Sequence, residues 1–195
     1  MRAVVVVAHP DPSSFTHAIA STATAALERS GHHVIVLDLY AEEFRAAMSR
    51  AERVAYHGTR PLLDPMAERH ADIVKRADAF VFVYPTWWST MPAILKGWLD
   101  RVMVPGVGFV FDDDQHVRRG LKKVHRIVGI STYGSRRLYV KAIHDNGRRM
   151  LMRSLRMNTA VLTRRTWLAL YEMDTSTAEQ RAAFLQRVDR KMRSL

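Results

Sequence analysis

The strongest constraint on this chain is a regular alternation of two kinds of segment. Ala3–Ala8 (AVVVVA), His33–Leu39 (HVIVLDL) and Ala79–Tyr84 (AFVFVY) are apolar runs rich in β-branched and aromatic residues. Runs of that length without a polar alternate are strands buried on both faces. Val124–Ile130 and Arg165–Leu170 (RTWLAL) add a fourth and a fifth strand. Between the strands the period changes to that of a helix. Ser14–Ser30 places Phe15, Ile19, Ala23, Ala26 and Leu27 on one face, and Gly31 closes it as a C-terminal cap. Pro92 opens another helix that runs to about Met103, Arg136–Leu155 is largely helical, and Thr177–Arg193 closes the chain. The section Tyr40–Arg69 is less regular: Ala46–Tyr56 reads as helical, Pro61 and Pro65 break the rest, and Ala71–Arg76 is a short helix. Gly106–Asp114 reads as a loop with a short extended arm.

Strands separated by helices require a parallel sheet with right-handed crossovers. Five of them predict an α/β protein of the flavodoxin-like type, a three-layer αβα sandwich with strand order 2-1-3-4-5. With 195 residues and no repeat, linker or low-complexity tract, residues 1–195 read as one domain. There is no cysteine, which removes disulfides, thiolate nucleophiles and thiolate zinc sites. No apolar run is long enough for a signal-peptide core or a membrane span, so a soluble, cytoplasmic, untargeted protein is expected.

The charge is lopsided. Up to Asp114 there are 11 Lys and Arg against 14 Asp and Glu; from Gln115 onward the count is 19 against 5. A basic half attracts phosphates and polyanions in general. Its cations are not interleaved with stacking aromatics and no zinc-finger or RNP pattern is present, so nucleic acid is not expected as a partner.

Ligands of such sheets sit beyond the carboxyl ends of the strands, where the strand order reverses. Three loops reach that edge: HPDPSSFT at 9–16, PTWWSTMP at 85–92 and STYGS at 131–135. The first allows two chemistries. His-Pro-Asp resembles the opening of zinc-dependent deacetylases that begin AHPDDE, but position 12 is Pro. None of the nine histidines lies three residues from another, so the metal ligands are missing. The alternative is a phosphate held at a helix start, with Ser13, Ser14 and Thr16 adding hydroxyls. A serine before a helix is equally an ordinary N-cap. GxGxxG and GxxxxGK[ST] fingerprints are absent. In the second loop, Trp87 and Trp88 follow a buried strand, and neighbouring residues of an extended chain point opposite ways. One indole therefore faces the mouth of the site, where it can line a planar ligand. A fused ring beside the indoles with its phosphate on Ser13–Thr16 accounts for both loops, and flavin has that outline.

With these segments together, the chain resembles the flavodoxin-like NAD(P)H:quinone oxidoreductases, the DT-diaphorase family. The resemblance rests on AHPDPSSFTHA at 8–18, DLY at 38–40, YPTWWSTMPAILKGWLDRV at 84–102, GFVFD at 108–112 and STYGS with a downstream Tyr139. It covers roughly residues 1–145. It implies a flavin enzyme that takes hydride from NAD(P)H and passes two electrons to a quinone or similar acceptor in a ping-pong cycle. Carried onto matching positions, it implies that His9, Ser13, Ser14, Phe15, Thr16 and Ala18 hold the flavin phosphate region. Pro85, Thr86, Trp87, Trp88 and Ser89 would border the ring, with Ser131, Thr132, Tyr133 and Gly134 as the other wall. Tyr139 matches the family's active-site tyrosine. His144 lies near the family's histidine but out of register, and Tyr133 stands where the family often has glycine, a change that either narrows the pocket or places a phenol beside the ring. Backbone amides near Trp88 and Gly134 would stabilise negative charge on the reduced ring, and Arg136, Arg137 and Lys141 would steer the anionic donor. The resemblance also implies a homodimer, with Ile94–Met103 and Met150–Met157 as candidate interface surfaces. FMN and FAD are not separated, nor are NADH and NADPH. A flavin-binding electron carrier or a transporter's regulatory subunit of the same fold is the other reading.

Overall fold

The computed structural model describes residues 1–195. Its main sheet consists of β1 (Arg2–Val7), β2 (His33–Asp38), β3 (Ala79–Pro85), β6 (Arg126–Thr132) and β7 (Arg164–Leu170). The order β2-β1-β3-β6-β7 is parallel throughout, which is the expected 2-1-3-4-5 arrangement. In β1 and β3 alternate side chains enter opposite cores. Val4, Val6, Phe80, Phe82 and Tyr84 join one cluster, while Ala3, Val5, Val7, Val81 and Val83 join the other. Each fully buried apolar side chain contributes about 1.5–3 kcal/mol, so the register of β1 on β3 is held by both faces at once.

Helices α1 (Phe15–Arg29) and α7 (Ala178–Arg193) cover one face. Ser14 caps α1 by accepting from the His17 amide, and Gly31 follows its C-terminus at φ +77°, as its position in the sequence anticipates. The other face carries α2 (Arg50–Ala55), α3 (Pro65–Lys75), α4 (Ala93–Val102), α5 (Arg137–Ala142) and α6 (Asn146–Arg149). α6 runs directly into a π-helical turn at Met150–Leu155. A two-stranded antiparallel hairpin, β4 (Phe109–Phe111) and β5 (Val117–Arg119), stands apart from the main sheet. No helix is long and apolar enough to cross a membrane.

Four elements differ from the sequence reading. The extended arm at Gly106–Asp114 has a partner strand at 117–119. The helix expected over 46–56 begins only after Ser49, which forms a capping box with Glu52. Pro65 does not break a helix but opens one, next to the Asp64 cap. The long helix expected over 136–155 is interrupted at His144 and Asp145, whose φ values are +66° and +40°.

The late start of α2 has a tertiary cause. A Cβ on Gly97 would lie 2.2 Å from the Ala46 carbonyl oxygen, so the chain around Ala46 passes directly across α4. Arg101, 3% exposed, fixes that crossing. Its Nε donates to Glu52 at 2.8 Å, an Nη donates to Asp64 at 2.8 Å, and the other Nη donates to the Arg45 carbonyl. Trp98 donates from its indole to His70 Nδ1 at 3.0 Å, and His70 Nε2 meets Glu42 at 3.0 Å. The segment LKGW therefore builds the scaffold. The helix Ile94–Met103 buries Ile94, Leu95, Trp98, Leu99 and Val102 in the chain's own core, as Leu151, Met152 and Leu155 are buried, while Met103 and Met150 line a cleft and Met157 is exposed.

Arg101→Ala leaves the buried Glu52 carboxylate without its cation and takes from Asp64 the nearer of its two arginines, and is expected to cost about 3 kcal/mol at neutral pH. Burial pushes the Asp64 carboxyl upward, but Arg101 and the helix-start amides outweigh it and hold it at about 2; Glu52 is lowered by the same balance. A depressed carboxylate contributes stability above its unfolded value and loses it as pH falls through the folded value. Urea unfolding of the two proteins should thus show a gap that narrows as pH drops from about 5 toward 2. Gly97→Ala is expected to cost at least about 1–3 kcal/mol by the same assay.

Candidate functional site

The three loops meet at the carboxyl edge of the sheet, and named contacts join them. The His9 ring lies 5.8 Å from that of Trp87, linking the first loop to the second. Thr86 Oγ1 shares a 2.9 Å hydrogen bond with Ser131 Oγ, and the Thr86 amide donates to the Thr132 carbonyl at 2.8 Å, linking the second to the third.

The first loop is organised by Asp11. Its carboxylate accepts the Ser13 amide at 2.8 Å and the Ser13 hydroxyl at 2.7 Å, and those bonds hold its pKa below the ordinary value. His9 Nδ1 accepts the Asp11 amide at 3.0 Å. The His-Pro-Asp sequence is thus folded back on its own backbone, and no three His, Asp or Glu side chains converge as a metal-ligating group. Ser13, expected as a phosphate donor, has both donors engaged. The Phe15 and Thr16 amides, at the first turn of α1, have no protein acceptor. They are the groups through which a helix start holds an anion. Ser14 Oγ lies 3.1 Å from His17 Nδ1, and His17 Nε2 meets Asp38 at 2.8 Å, so the DLY segment secures the loop from β2. Ala18 is exposed beside the cap.

In the second loop the tandem tryptophans separate, by a route different from that of an extended chain. Trp87 and Thr90 exchange backbone hydrogen bonds at 3.0 and 3.1 Å, leaving Trp88 and Ser89 as a two-residue turn. Their φ values, +46° and +62°, are those of a type I′ turn, a position that favours Asn-Gly. Trp87 is turned toward His9. Trp88 is 97% exposed and lines a cleft of about 270 Å³ with Thr86, Ser89, Gly134, Ser135 and Tyr139. The amides of Trp88, Ser89, Gly134 and Ser135 have no protein acceptor. One cleft thus gathers an aromatic wall, four open N–H donors and a phenol.

The rest of the expected wall divides. Ser131 and Thr132 are buried, and their side chains do not enter the cleft; they tie β3 to β6, and Pro85 is buried behind them. Tyr133 is 2% exposed, with its phenol donating to Asp145 at 2.8 Å and its ring stacked 4.9 Å from Tyr171. Burial, reinforced by Asp145, pushes that phenol well above the ordinary tyrosine range, so it is not the free phenol beside a ring that the sequence suggested. Tyr139 is exposed and lines the cleft; His144 is exposed on the far side of α5 and does not. Asp145 was missed. Its signal in the sequence is Asp-Asn-Gly-Arg, an N-cap for α6, and its carboxylate accepts the Arg148 amide.

A larger cleft of about 540 Å³, lined by Met48, Tyr56, Met103 and Met150, lies between α2, α4 and the π-helical turn, away from the three loops.

The sequence matches a family described by its flavodoxin-like fold over residues 1–194. It is 31% identical to NAD(P)H dehydrogenase (quinone) 1 of Cavia porcellus over 163 residues, covering 74% of this chain and 58% of that one. It is 30% identical to ribosyldihydronicotinamide dehydrogenase (quinone) of Homo sapiens, over 72% of this chain and 67% of that one. The chain thus spans about three-fifths to two-thirds of the length of these relatives. A solved NAD(P)H:quinone oxidoreductase from Methanothermobacter marburgensis superposes with a TM-score of 0.82 at 26% identity, covering 100% of this chain and 96% of that one.

Left-handed backbone at a non-glycine residue costs about 1–2 kcal/mol. Ser89→Gly is therefore expected to raise the thermal stability of the cofactor-free protein by about 1 kcal/mol, measured by calorimetry.

Proposed function

The chain belongs to the flavodoxin-like family, and within it we propose a flavin-dependent NAD(P)H:acceptor oxidoreductase acting on quinones or similar compounds. The observation that carries this reading is the cleft at the topological switch point, where Trp88, Tyr139 and the open amides of Ser89, Gly134 and Ser135 line one wall-to-wall space. The donor set fits a flavin. N–H groups without protein acceptors suit a ring that gains negative charge, and the open Phe15 and Thr16 amides suit its phosphate.

When bound, the flavin supplies the two-electron chemistry, accepting hydride from NAD(P)H and delivering it to the acceptor. The chain's own residues hold and orient. The first turn of α1 anchors the anionic tail, with Asp11 and His17 shaping the loop. Trp87 and Trp88 bound the ring edge, and the left-handed turn sets where the Trp88 side chain leaves the backbone. The Tyr139 phenol is placed to hold an acceptor oxygen and move a proton to it.

A homodimer is part of this reading. Val110, Phe111 and Val117 are exposed on the β4–β5 hairpin, and Phe111 lies 6.2 Å from His57 at the Met48–Met150 cleft. That apolar surface is where a second copy would pack, and a cytoplasmic setting belongs to the same reading. An electron carrier is the weaker alternative, because such carriers are acidic and this chain has a net charge of +11.

Purified protein is expected to be yellow, or to become so with added FMN or FAD, and mass spectrometry of the released cofactor decides between them. With NAD(P)H and a small benzoquinone, initial rates should give parallel double-reciprocal lines. Tyr139→Phe should lower kcat by at least about tenfold while cofactor binding persists. Protein that is colourless and refuses both flavins would overturn the proposal.

A further inference from the structure

A second cleft, of about 900 Å³, opens on the other side of α5. Into it project Arg137 and Lys141 of α5, Arg148 and Arg149 of α6, Arg153 of the π-helical turn and Arg165 of β7. None of the six forms an ion pair, although Arg29, Arg69, Arg101, Arg118, Arg136 and Arg193 elsewhere each meet a carboxylate. The one carboxylate of the cleft, Asp145, is engaged by the Tyr133 phenol and the Arg148 amide. Like charges gathered without counterions repel one another and are relieved by an anion. Arg136, expected in the same role, is instead tied to Glu172 at 3.1 Å.

The floor of the cleft is aromatic. Trp167 lies flat against β6, where a Cβ on Gly129 would sit 2.1 Å from its ring, and Arg148 stands 5.9 Å over the same indole. The Trp167 Nε1 is buried without an acceptor. Cations around a partly covered aromatic match a phosphorylated nucleoside better than a simple inorganic ion. The volume is that of a small-molecule site, not of a duplex groove. The cleft shares Val140 and Asp145 with the Trp88–Tyr139 cleft, so the two adjoin at the end of α5.

We propose that this cleft takes the phosphorylated adenosine end of the nicotinamide donor, making the protein selective for NADPH over NADH. The inference rests on the oxidoreductase reading above. It adds the donor's identity and the residues that choose it.

The test pairs kinetics of the flavin-loaded protein with calorimetric binding of 2′,5′-ADP and 5′-AMP, which carry no nicotinamide. The kcat/KM for NADPH should exceed that for NADH by about tenfold or more, a preference that falls as salt rises. 2′,5′-ADP should bind about tenfold tighter than 5′-AMP. The Arg148→Gln, Arg149→Gln double variant should lose most of both preferences, and Lys141→Gln serves as an independent variant should the pair fold poorly. Equal use of the two donors, or equal binding of the two adenosine phosphates, would overturn the cleft assignment and leave the oxidoreductase reading standing. Preferential 2′,5′-ADP binding by a protein that oxidises neither donor would uphold the cleft as a nucleotide site and overturn that reading.

Discussion

Burial of β1 and β3 on both faces is the constraint from which the rest of the structure follows. Side chains alternating into two separate cores leave those strands no solvent-facing side. Polar chemistry is then confined to the strand ends, and parallel order collects those ends along one edge. The loops after β1, β3 and β6 are adjacent because their strands are, and the Thr86–Ser131 and His9–Trp87 contacts are consequences of that adjacency. The layers, in turn, are fastened by buried polar contacts that only the folded chain assembles. Arg101 reaches Glu52 and Asp64 across intervals of 49 and 37 residues.

What the sequence revealed follows the same division. Period-two and period-3.6 patterns are local, so the strands, α1 and α7 were legible to within a residue or two. The hairpin partner Val117–Arg119 was not, because a three-residue strand carries no period. The break at His144–Asp145 was hidden as well: His and Asp are enriched in left-handed backbone, yet most of them are not in it, so the pair alone does not mark a break. Ala46–Met48 has helical composition yet is not helical, because the missing side chain of Gly97 draws its backbone across α4. That is a tertiary override of propensity.

The site was legible where chemistry coincides with position and obscure where side chains are spent on support. Trp88 and Tyr139 stand open in one cleft, the first suggested by loop composition and the second only by the family resemblance. Ser13, Ser131, Thr132 and Tyr133 carry polar groups at the right places, but their bonds are internal. A residue string records which groups exist and not which are already satisfied. The most specific motif, PAILKGW, turned out to be architecture: Gly97 allows a crossing and Trp98 completes a buried chain of hydrogen bonds to His70 and Glu42. The uneven charge was visible from the start, but its concentration in one recess was not. Arg136 and Arg137 are neighbours in sequence and have opposite fates, one neutralised and one free.

The turn at Trp88–Ser89 has a consequence for how the cleft meets molecules of different shape. A two-residue reversal with both residues in the left-handed basin sets where the Trp88 side chain leaves the backbone, while the indole, almost fully exposed, keeps its own rotamers. The facing side is tied down: the Tyr133 amide donates to the Leu170 carbonyl, the Glu172 amide to that of Ser135, and a Cβ on Gly134 would lie 2.7 Å from the Asp174 carboxylate. A change in the width of the cleft should therefore come from rotation of the Trp88 indole, with the glycine side holding still.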